Sequence, residues 1–441
     1  MYDRLNTPPA SRDDWRTSGL LPELQSSRKG TGKSMSLARQ RLLIIGGSYA
    51  GSELASHARA NGYCEDIVIV SEEAELPYHR PPLSKSYLKE PAEEGTPLRA
   101  AAFYSANNIE LELGVRVLQL DPATNAAVLS NGARITFDVL ALTVGARPRE
   151  LTCAGSDLKN VYYLRSIADA RALRAAAAEA ENVVVIGAGF IGLEIASVLV
   201  QQHKQVTVIE AEDRVLARVV APEVSEFFST QHAHHGVKLL TSRSVHSLVG
   251  ERGIVRRVIL DDGTSIDADT VIVGIGSVPN LELSQQLGLM SRNGIAVDSR
   301  SRTSQANVFA AGDCVSYVGP YNSSGIRLES VQNAIDQSRV AGAVIGGADR
   351  AYESIPWFWS DQYNLKLQIV GLPAGATESV TRPGTTSDIS VFHFRGDACI
   401  CIESVNRPRE HMYARKLLPR GVVTKKQLQD VDFDISALNK L

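Results

Sequence analysis

Two stretches of the chain change their hydrophobic period in the same way. In LLIIGGSYAGSELASHARA, beginning at Leu42, consecutive apolar residues run into glycines and then into apolar positions at helical spacing. VVVIGAGFIGLEIASVLV, Val183 to Val200, does the same. A short unbroken apolar run predicts a strand buried on both faces. The switch to a period of about 3.6 residues after glycine predicts a tight turn opening a helix. Each helical pattern is followed by a second apolar strand ending in acid: DIVIVSEE reaches Glu72 and QVTVIEAE reaches Glu210. The first glycines, Gly46 and Gly187, stand 141 residues apart, a domain-sized repeat.

The turns carry the chemistry. The second copy has Gly187, Gly189 and Gly192 bracketing Phe190 and Ile191, while the first has Gly46, Ser48 and Gly51. In a dinucleotide-binding turn the first glycine makes the bend, the second lets backbone approach a pyrophosphate, and the third lets helix pack on strand. The helix N-terminus then presents unpaired N–H groups to the phosphates. From first glycine to acid is 26 residues in one copy and 23 in the other, near the roughly 20 expected for a carboxylate that holds a ribose. Ser48 adds a hydroxymethyl group where glycine is usual. One such turn is equally well an ordinary strand–turn–helix; two, each with its acid, predict two nucleotide sites in an α/β protein.

Other segments fit between these landmarks. LTVGARPR (Leu142 to Arg149) and VIVGIGSVPN (Val271 to Asn280) read as strands entering glycine turns where the chain crosses between domains. The alanine-rich stretch Ser166 to Glu181 reads as a surface helix. ANVFAAGDCV puts Asp313 after an apolar strand, either as a helix N-cap or as an acid for a cofactor hydroxyl. The first forty residues are polar and aperiodic, which predicts a disordered tail, 1–40; they hold no apolar core of a signal peptide.

Composition narrows the function classes. Hydrophobic residues make up 44%, charged residues 22%, and the net charge is −3. No basic field draws the chain to nucleic acid or anionic lipid. Val183 to Val200 is long enough for a short membrane span, but its glycines and Glu194 favour the strand–turn–helix. Five scattered cysteines, at 64, 153, 314, 399 and 401, argue against a disulfide scaffold and for a reducing, cytoplasmic setting. Cys399 and Cys401 alternate on one predicted strand and share a face, a packing arrangement. No His/Cys spacing of metal-site type is visible, so no metal is expected.

With these motifs in view, the chain resembles the FAD-dependent NADH reductases that serve bacterial oxygenases through ferredoxin, rubredoxin or putidaredoxin, with apoptosis-inducing factor more distant. The resemblance rests on both turns and on LPYHRPPLSKSYL, VYYLRSIADA, VFAAGDCV, RLESVQNAIDQS, WFWSDQY and SVNRPREHMYARKLL, and it runs from about residue 41 to the C-terminus. It implies two Rossmann-like domains, for FAD (41–150 and 281–355) and NAD (151–280), plus a C-terminal α+β domain (356–441). It implies FAD contacts at the Gly46–Gly51 turn with Ser48 and Ala50, and at Glu72, Lys85, Val117, Arg165, Asp313, Glu329 and Val331, with Arg80 and Trp359 near the flavin. It implies NADH contacts at the Gly187–Gly192 loop, Glu194, Glu210 and Arg218, with Gly276 nearby. Three positions depart from the family's pattern: Ser48 for glycine, Val144 for the usual Thr, and Val331 for a frequent Trp.

The resemblance makes Lys85 and Glu194 a pair beside the flavin, and Glu210 a carboxylate that accepts from a ribose 2′-hydroxyl and repels a 2′-phosphate. RPPLSKSYLKE lacks the cysteine pair of disulfide reductases, and the C-terminus lacks their acid–base histidine, His411 being the nearest. The implied outlet is therefore single-electron delivery to a [2Fe–2S] ferredoxin by a soluble monomer or homodimer. Arg415, Lys416 and Arg420 read either as docking charges or as a solvated helix face. An NADH oxidase of apoptosis-inducing-factor type, and a redox-gated interaction protein, are the alternatives.

Overall fold

The strand Arg41–Ile45, with Leu42, Leu43 and Ile44 fully buried, is the middle of a five-stranded sheet. A computed structural model describes residues 40–90, 94–428 and 433–440; the expected disordered stretch 1–40, residue 40 apart, lies outside them. Across the sheet the order is Val308–Ala310, Val139–Leu142, Arg41–Ile45, Asp66–Ser71, Ile109–Leu113, with every pairing parallel. A second sheet repeats the plan: Val161–Tyr163, Thr270–Val273, Asn182–Ile186, Gln205–Ile209, Lys238–Leu240, again all parallel. Each glycine turn thus leaves the central strand of its sheet. Parallel strands need crossover connections, and the helices Tyr49–Ala60 and Phe190–Gln201 supply them. The apolar stretch from Val183 is therefore a strand and a helix; no helix among the described residues is long and apolar enough to cross a membrane.

The first sheet is completed by Val308–Ala310 only after the second has been built. The outward and return crossings lie side by side, Ala146–Pro148 pairing antiparallel with Ser277–Pro279. The alanine-rich segment forms the helix Ile167–Glu179, begun by a capping box between Ser166 and Asp169. Its Ile167, Ala170, Leu173 and Ala177 are buried, so one face of this expected surface helix is core.

The C-terminal part is an antiparallel sheet, ordered Trp357–Gln362, Leu365–Gly371, Ala398–Val405, Ile389–Arg395, Glu378–Pro383. Leu365, Leu367, Val391, Cys401 and Val405 share one core with Leu193, Val198 and Phe228 of the second nucleotide fold. The helix Pro408–Leu417 contributes Ala414 and Leu417 to a separate core with Val370, Phe392 and Phe394 of the sheet.

Two buried histidines make this assembly acid-sensitive. His232, on the helix Pro222–His234, is fully buried against the C-terminal sheet, and burial lowers its pKa to about 4. His411 is lowered to about 4 by burial, then by Arg415 and Lys366. Both stay neutral in the folded chain, whereas the unfolded chain protonates them below about pH 6.5. Their contribution is complete above that pH and is lost as pH falls toward 4, at up to about 1.4 kcal/mol per pH unit for each. Chemical denaturation should show roughly 2 kcal/mol lost per histidine between pH 6.5 and 5. His232→Gln, which cannot titrate, should show a shallower pH slope than the wild type; an identical slope would exclude His232 as a source.

Candidate functional site

Gly46 sits at φ +116°, and a Cβ there would lie 2.2 Å from the carbonyl oxygen of Thr143. Only glycine serves this bend. A Cβ on Gly51 would lie 2.0 Å from the Gly46 carbonyl oxygen, so the helix rests directly on the turn. Thr143, one residue before Val144, donates its hydroxyl to the carbonyls of Gly46 and Ile45 at 2.9 and 3.0 Å. Ser48 is the helix N-cap, but its hydroxyl makes no cap bond; it accepts from Arg80 Nε at 3.0 Å. Arg80 also donates to the Arg165 carbonyl at 2.8 Å and pairs with Glu73. Burial opposes the guanidinium charge, but Glu73 and Tyr78 outweigh it and hold Arg80 above its ordinary pKa.

This turn opens into a cavity of about 970 Å³, at the upper end of small-molecule and cofactor sites. Its walls bring together residues far apart in sequence. The first fold gives Gly46, Ser48, Ala50, Glu72, Arg80, Lys85 and Val117. Arg165, Asp313, Glu329 and Val331 come from beyond the crossings, Phe190, Ile191 and Glu194 from the second glycine helix, and Trp359 from the C-terminal sheet. Arg165 Nη2 meets Asp313 Oδ2 at 3.2 Å. Asp313 lies between the strands Val308–Ala310 and Val315–Gly319, so the helix-cap alternative is excluded. Glu72 is largely exposed, with Arg116 at 3.6 Å. Glu329 pairs with Arg327 and accepts from Ser277. Phe190 packs on Phe358 with ring centroids 4.5 Å apart.

The residues fit a flavin dinucleotide. Neither Tyr49–Ala60 nor Val331–Ile345 carries an acid in its first turn, leaving both positive helix ends uncompensated for an anion. The walls alternate paired charges with apolar Ala50, Val117 and Val331.

The remaining predicted residues form a separate cluster at the second turn. Gly187, at φ +100°, would place a Cβ 2.4 Å from the Gly274 carbonyl oxygen. A Cβ on Gly192 would lie 2.1 Å from the carbonyl of Gly187, whereas one on Gly189 would meet nothing within 4 Å. Glu210 accepts the Ala188 N–H at 2.7 Å and the Glu212 N–H at 2.9 Å. Arg218 lies beside Gly276, its Nη2 3.6 Å from where a Cβ would stand. Arg214, which would also bear on nucleotide choice, instead donates to the carbonyls of Val220 and Ala217.

At the cavity wall Lys85 Nζ meets Glu194 Oε2 at 2.7 Å, with Glu194 only 4% exposed. The same carboxylate accepts from Ser84 Oγ at 2.5 Å and from Ser360 Oγ at 2.7 Å. These two hydroxyls, like Glu73, were not singled out from the sequence, although Ser84 and Ser360 lie inside RPPLSK and FWSDQ.

Sequence spacing shows no metal-type cluster, yet His393, Cys401 and Glu403 bring ligand atoms within 4.8 Å of one another. The cross-strand pairing of His393 with Cys401, and the two-residue step to Glu403 on the same face, create the group; linear spacing cannot display it. Its carboxylate is already engaged: Glu403 accepts from His393 at 2.8 Å and from the Ala221 N–H at 2.9 and 3.1 Å. Burial raises the Cys401 thiol well above its ordinary pKa and Cys399 to about 12, so both stay protonated packing groups. All five cysteines are unpaired.

Comparison with known proteins agrees with this geometry. Residues 40–338 match the model of the pyridine nucleotide-disulphide oxidoreductases, and residues 357–439 match the reductase C-terminal family. Rhodocoxin reductase of Rhodococcus erythropolis is 43% identical over 89% of this chain and 93% of its own. Putidaredoxin reductase of Pseudomonas putida is 36% identical over 86% and 92%. Among solved structures, a ferredoxin reductase from Rhodopseudomonas palustris superposes with a TM-score of 0.88 at 37% identity, covering 90% of this chain and 99% of that one. The covalent putidaredoxin reductase–putidaredoxin complex gives 0.86 at 35% identity, covering 91% and 99%. With two parallel nucleotide folds meeting at one cavity beneath an antiparallel cap, the chain belongs to the pyridine nucleotide-disulphide oxidoreductase family, in its branch with a reductase C-terminal domain.

Proposed function

We propose that this chain is an NADH-dependent, FAD-containing ferredoxin reductase that delivers electrons singly to a [2Fe–2S] ferredoxin, or a rubredoxin, serving an oxygenase or haem monooxygenase. The observation that carries this reading is the meeting of both nucleotide folds at one cavity. The helix that begins at the second glycine turn supplies Phe190, Ile191 and Glu194 to the wall of the cavity opened by the first. Bound FAD would supply a hydride acceptor for NADH and a one-electron donor for the partner.

In this reading residues 41–150 and 281–355 hold FAD, 151–280 hold NADH, and 356–441 cover the flavin. The N–H groups opening Tyr49–Ala60 receive the pyrophosphate. Glu72 receives a ribose, and Arg165 with Asp313 the hydroxylated chain. Lys85 places a fixed positive charge where an electron-rich ring gains most from it, and Glu194 holds the ammonium there. Phe190, Phe358 and Trp359 exclude water from the cavity mouth. Among the described lining residues there is no cysteine, so dithiol exchange has no thiol to work with at this site. The relatives named for putidaredoxin and rubredoxin, and the solved complex with putidaredoxin, support a small redox protein as acceptor. Arg415 and Lys416 in the last turn of the helix Pro408–Leu417, and Arg420 just after it, are exposed, Arg415 lying over the Trp357 ring, and they offer charge for an acidic partner. A cytoplasmic location supplies NADH and suits five free cysteines.

The direct test is anaerobic stopped-flow mixing of the purified protein with NADH, then with a [2Fe–2S] ferredoxin and cytochrome c. Rapid flavin bleaching with cytochrome reduction only when ferredoxin is present is the expected result. Bleaching without transfer would point to an oxidase, and a long-lived flavin–nicotinamide complex to a redox-gated interaction protein. Lys85→Ala should retain the fold and slow flavin reduction about 100-fold, the scale of losing one preorganised electrostatic group; unchanged kinetics would remove Lys85 from the mechanism. Glu210 predicts at least tenfold higher efficiency with NADH than NADPH, since a like charge at an interface costs several kcal/mol and about 1.4 kcal/mol is tenfold. Comparable efficiencies would overturn that role.

A further inference from the structure

The Glu194 carboxylate is the end of a hydrogen-bond chain that runs through the interface between the second nucleotide fold and the C-terminal sheet. Ser360 Oγ is 2.7 Å from Glu194 Oε1. Gln362 Nε2 is 3.2 Å from Ser360 Oγ, and Gln362 Oε1 is 2.8 Å from His232 Nε2. His232 Nδ1 is 2.9 Å from the Tyr363 hydroxyl, and Tyr363 stacks on exposed His235 with ring centroids 3.8 Å apart. Ser360, Gln362 and His232 are fully buried.

The charge at one end dictates the polarity of the whole chain. An ionised carboxylate only accepts, so Ser360 must donate to Glu194. Ser360 therefore takes its own bond from the Gln362 amide nitrogen, which turns the Gln362 carbonyl toward His232. That carbonyl requires a proton on His232 Nε2, leaving Nδ1 bare to accept from Tyr363. One tautomer of His232 and one orientation of Gln362 satisfy every member. The depressed pKa of His232, about 4 and caused chiefly by burial, keeps the ring neutral, as this tautomer requires. The chain does not relay protons: Gln362 donates from nitrogen and accepts at oxygen, two atoms separated by carbon.

We propose that Ser360, Gln362 and His232 are positioning residues that hold the Glu194 carboxylate, and through it the Lys85 ammonium, in register with the flavin. This rests on the reading that the Lys85–Glu194 pair faces the flavin. The C-terminal sheet thereby does more than cover the cofactor, since two of the three links stand on its strand Trp357–Gln362. Without them Glu194 keeps its contacts with Lys85 and Ser84, but its second oxygen lies buried without a donor. Such a group turns to recover a bond, and Lys85 moves with it. Losing one such bond is worth on the order of 1.4 kcal/mol, or tenfold in rate.

The test uses the FAD-loaded protein and four variants. Ser360→Ala and His232→Phe delete a donor with little change of shape, His232→Gln restores a donor near the Nε2 position, and Glu194→Gln removes the charge itself. Anaerobic stopped-flow with NADH separates the limiting rate of flavin reduction from the NADH dissociation constant, and redox titration gives the flavin midpoint potential. The expected result for Ser360→Ala and His232→Phe is a limiting rate about tenfold lower, NADH affinity within twofold of wild type, and a midpoint potential moved in the direction given by Lys85→Ala. His232→Gln should recover most of the rate. If Glu194→Gln slows reduction while Ser360→Ala leaves both rate and potential unchanged, the positioning chain is wrong and the flavin-side pair stands. If Glu194→Gln has no effect on rate or potential, the reading of the pair itself fails. Ser360→Ala keeps the proposal falsifiable if His232→Phe does not fold.

Discussion

A carboxylate 4% exposed has to be surrounded by donors, because an ionised group moved out of water without them costs several kcal/mol. Glu194, which stands on a helix of the second fold, meets that demand with donors from the two other parts of the molecule: Ser84 and Lys85 from the first fold and Ser360 from the C-terminal sheet. No one domain could bury this residue alone. Much of the inter-domain geometry can be read as the arrangement that satisfies it. The pair lies on the wall of the cavity opened by the first glycine turn, so the constraint that assembles the three parts also fixes a charge at that wall.

A similar economy governs the first glycine turn. Serine at position 48 is compatible with a phosphate loop because its hydroxyl is held by Arg80, and Arg80 is held by Glu73 and the Arg165 carbonyl. The departure from glycine is thus one end of a network, and it ties the turn to the RPPLSK segment. Thr143, whose hydroxyl bonds the Gly46 and Ile45 carbonyls, joins the crossover turn to the loop beside Val144.

Much of the fold was legible in the chain because its signals are local. A buried strand, a glycine bend and an amphipathic helix are each written within about a dozen residues, and their repetition 141 residues later made two nucleotide folds readable without coordinates. The crossover segments were legible for the same reason, though not that they pair with each other. Lys85 and Glu194 were joined by family resemblance alone, since nothing in the linear spacing brings residue 85 to residue 194. Asp313 read locally more as a helix cap than as a cofactor acid, and its place between two strands excludes the cap.

The sequence by itself determined two parallel α/β units with their turns and acids, and an outlet without a cysteine pair, because backbone periodicity and glycine sterics act over a few residues. Tertiary structure alone decided what meets what. It set Ser84 and Ser360 on Glu194, joined Gln362 to His232, placed Glu73 on Arg80, and gathered His393, Cys401 and Glu403. Those contacts depend on sheet register and on which faces pack together, and both are settled only when separate hydrophobic surfaces close on one another.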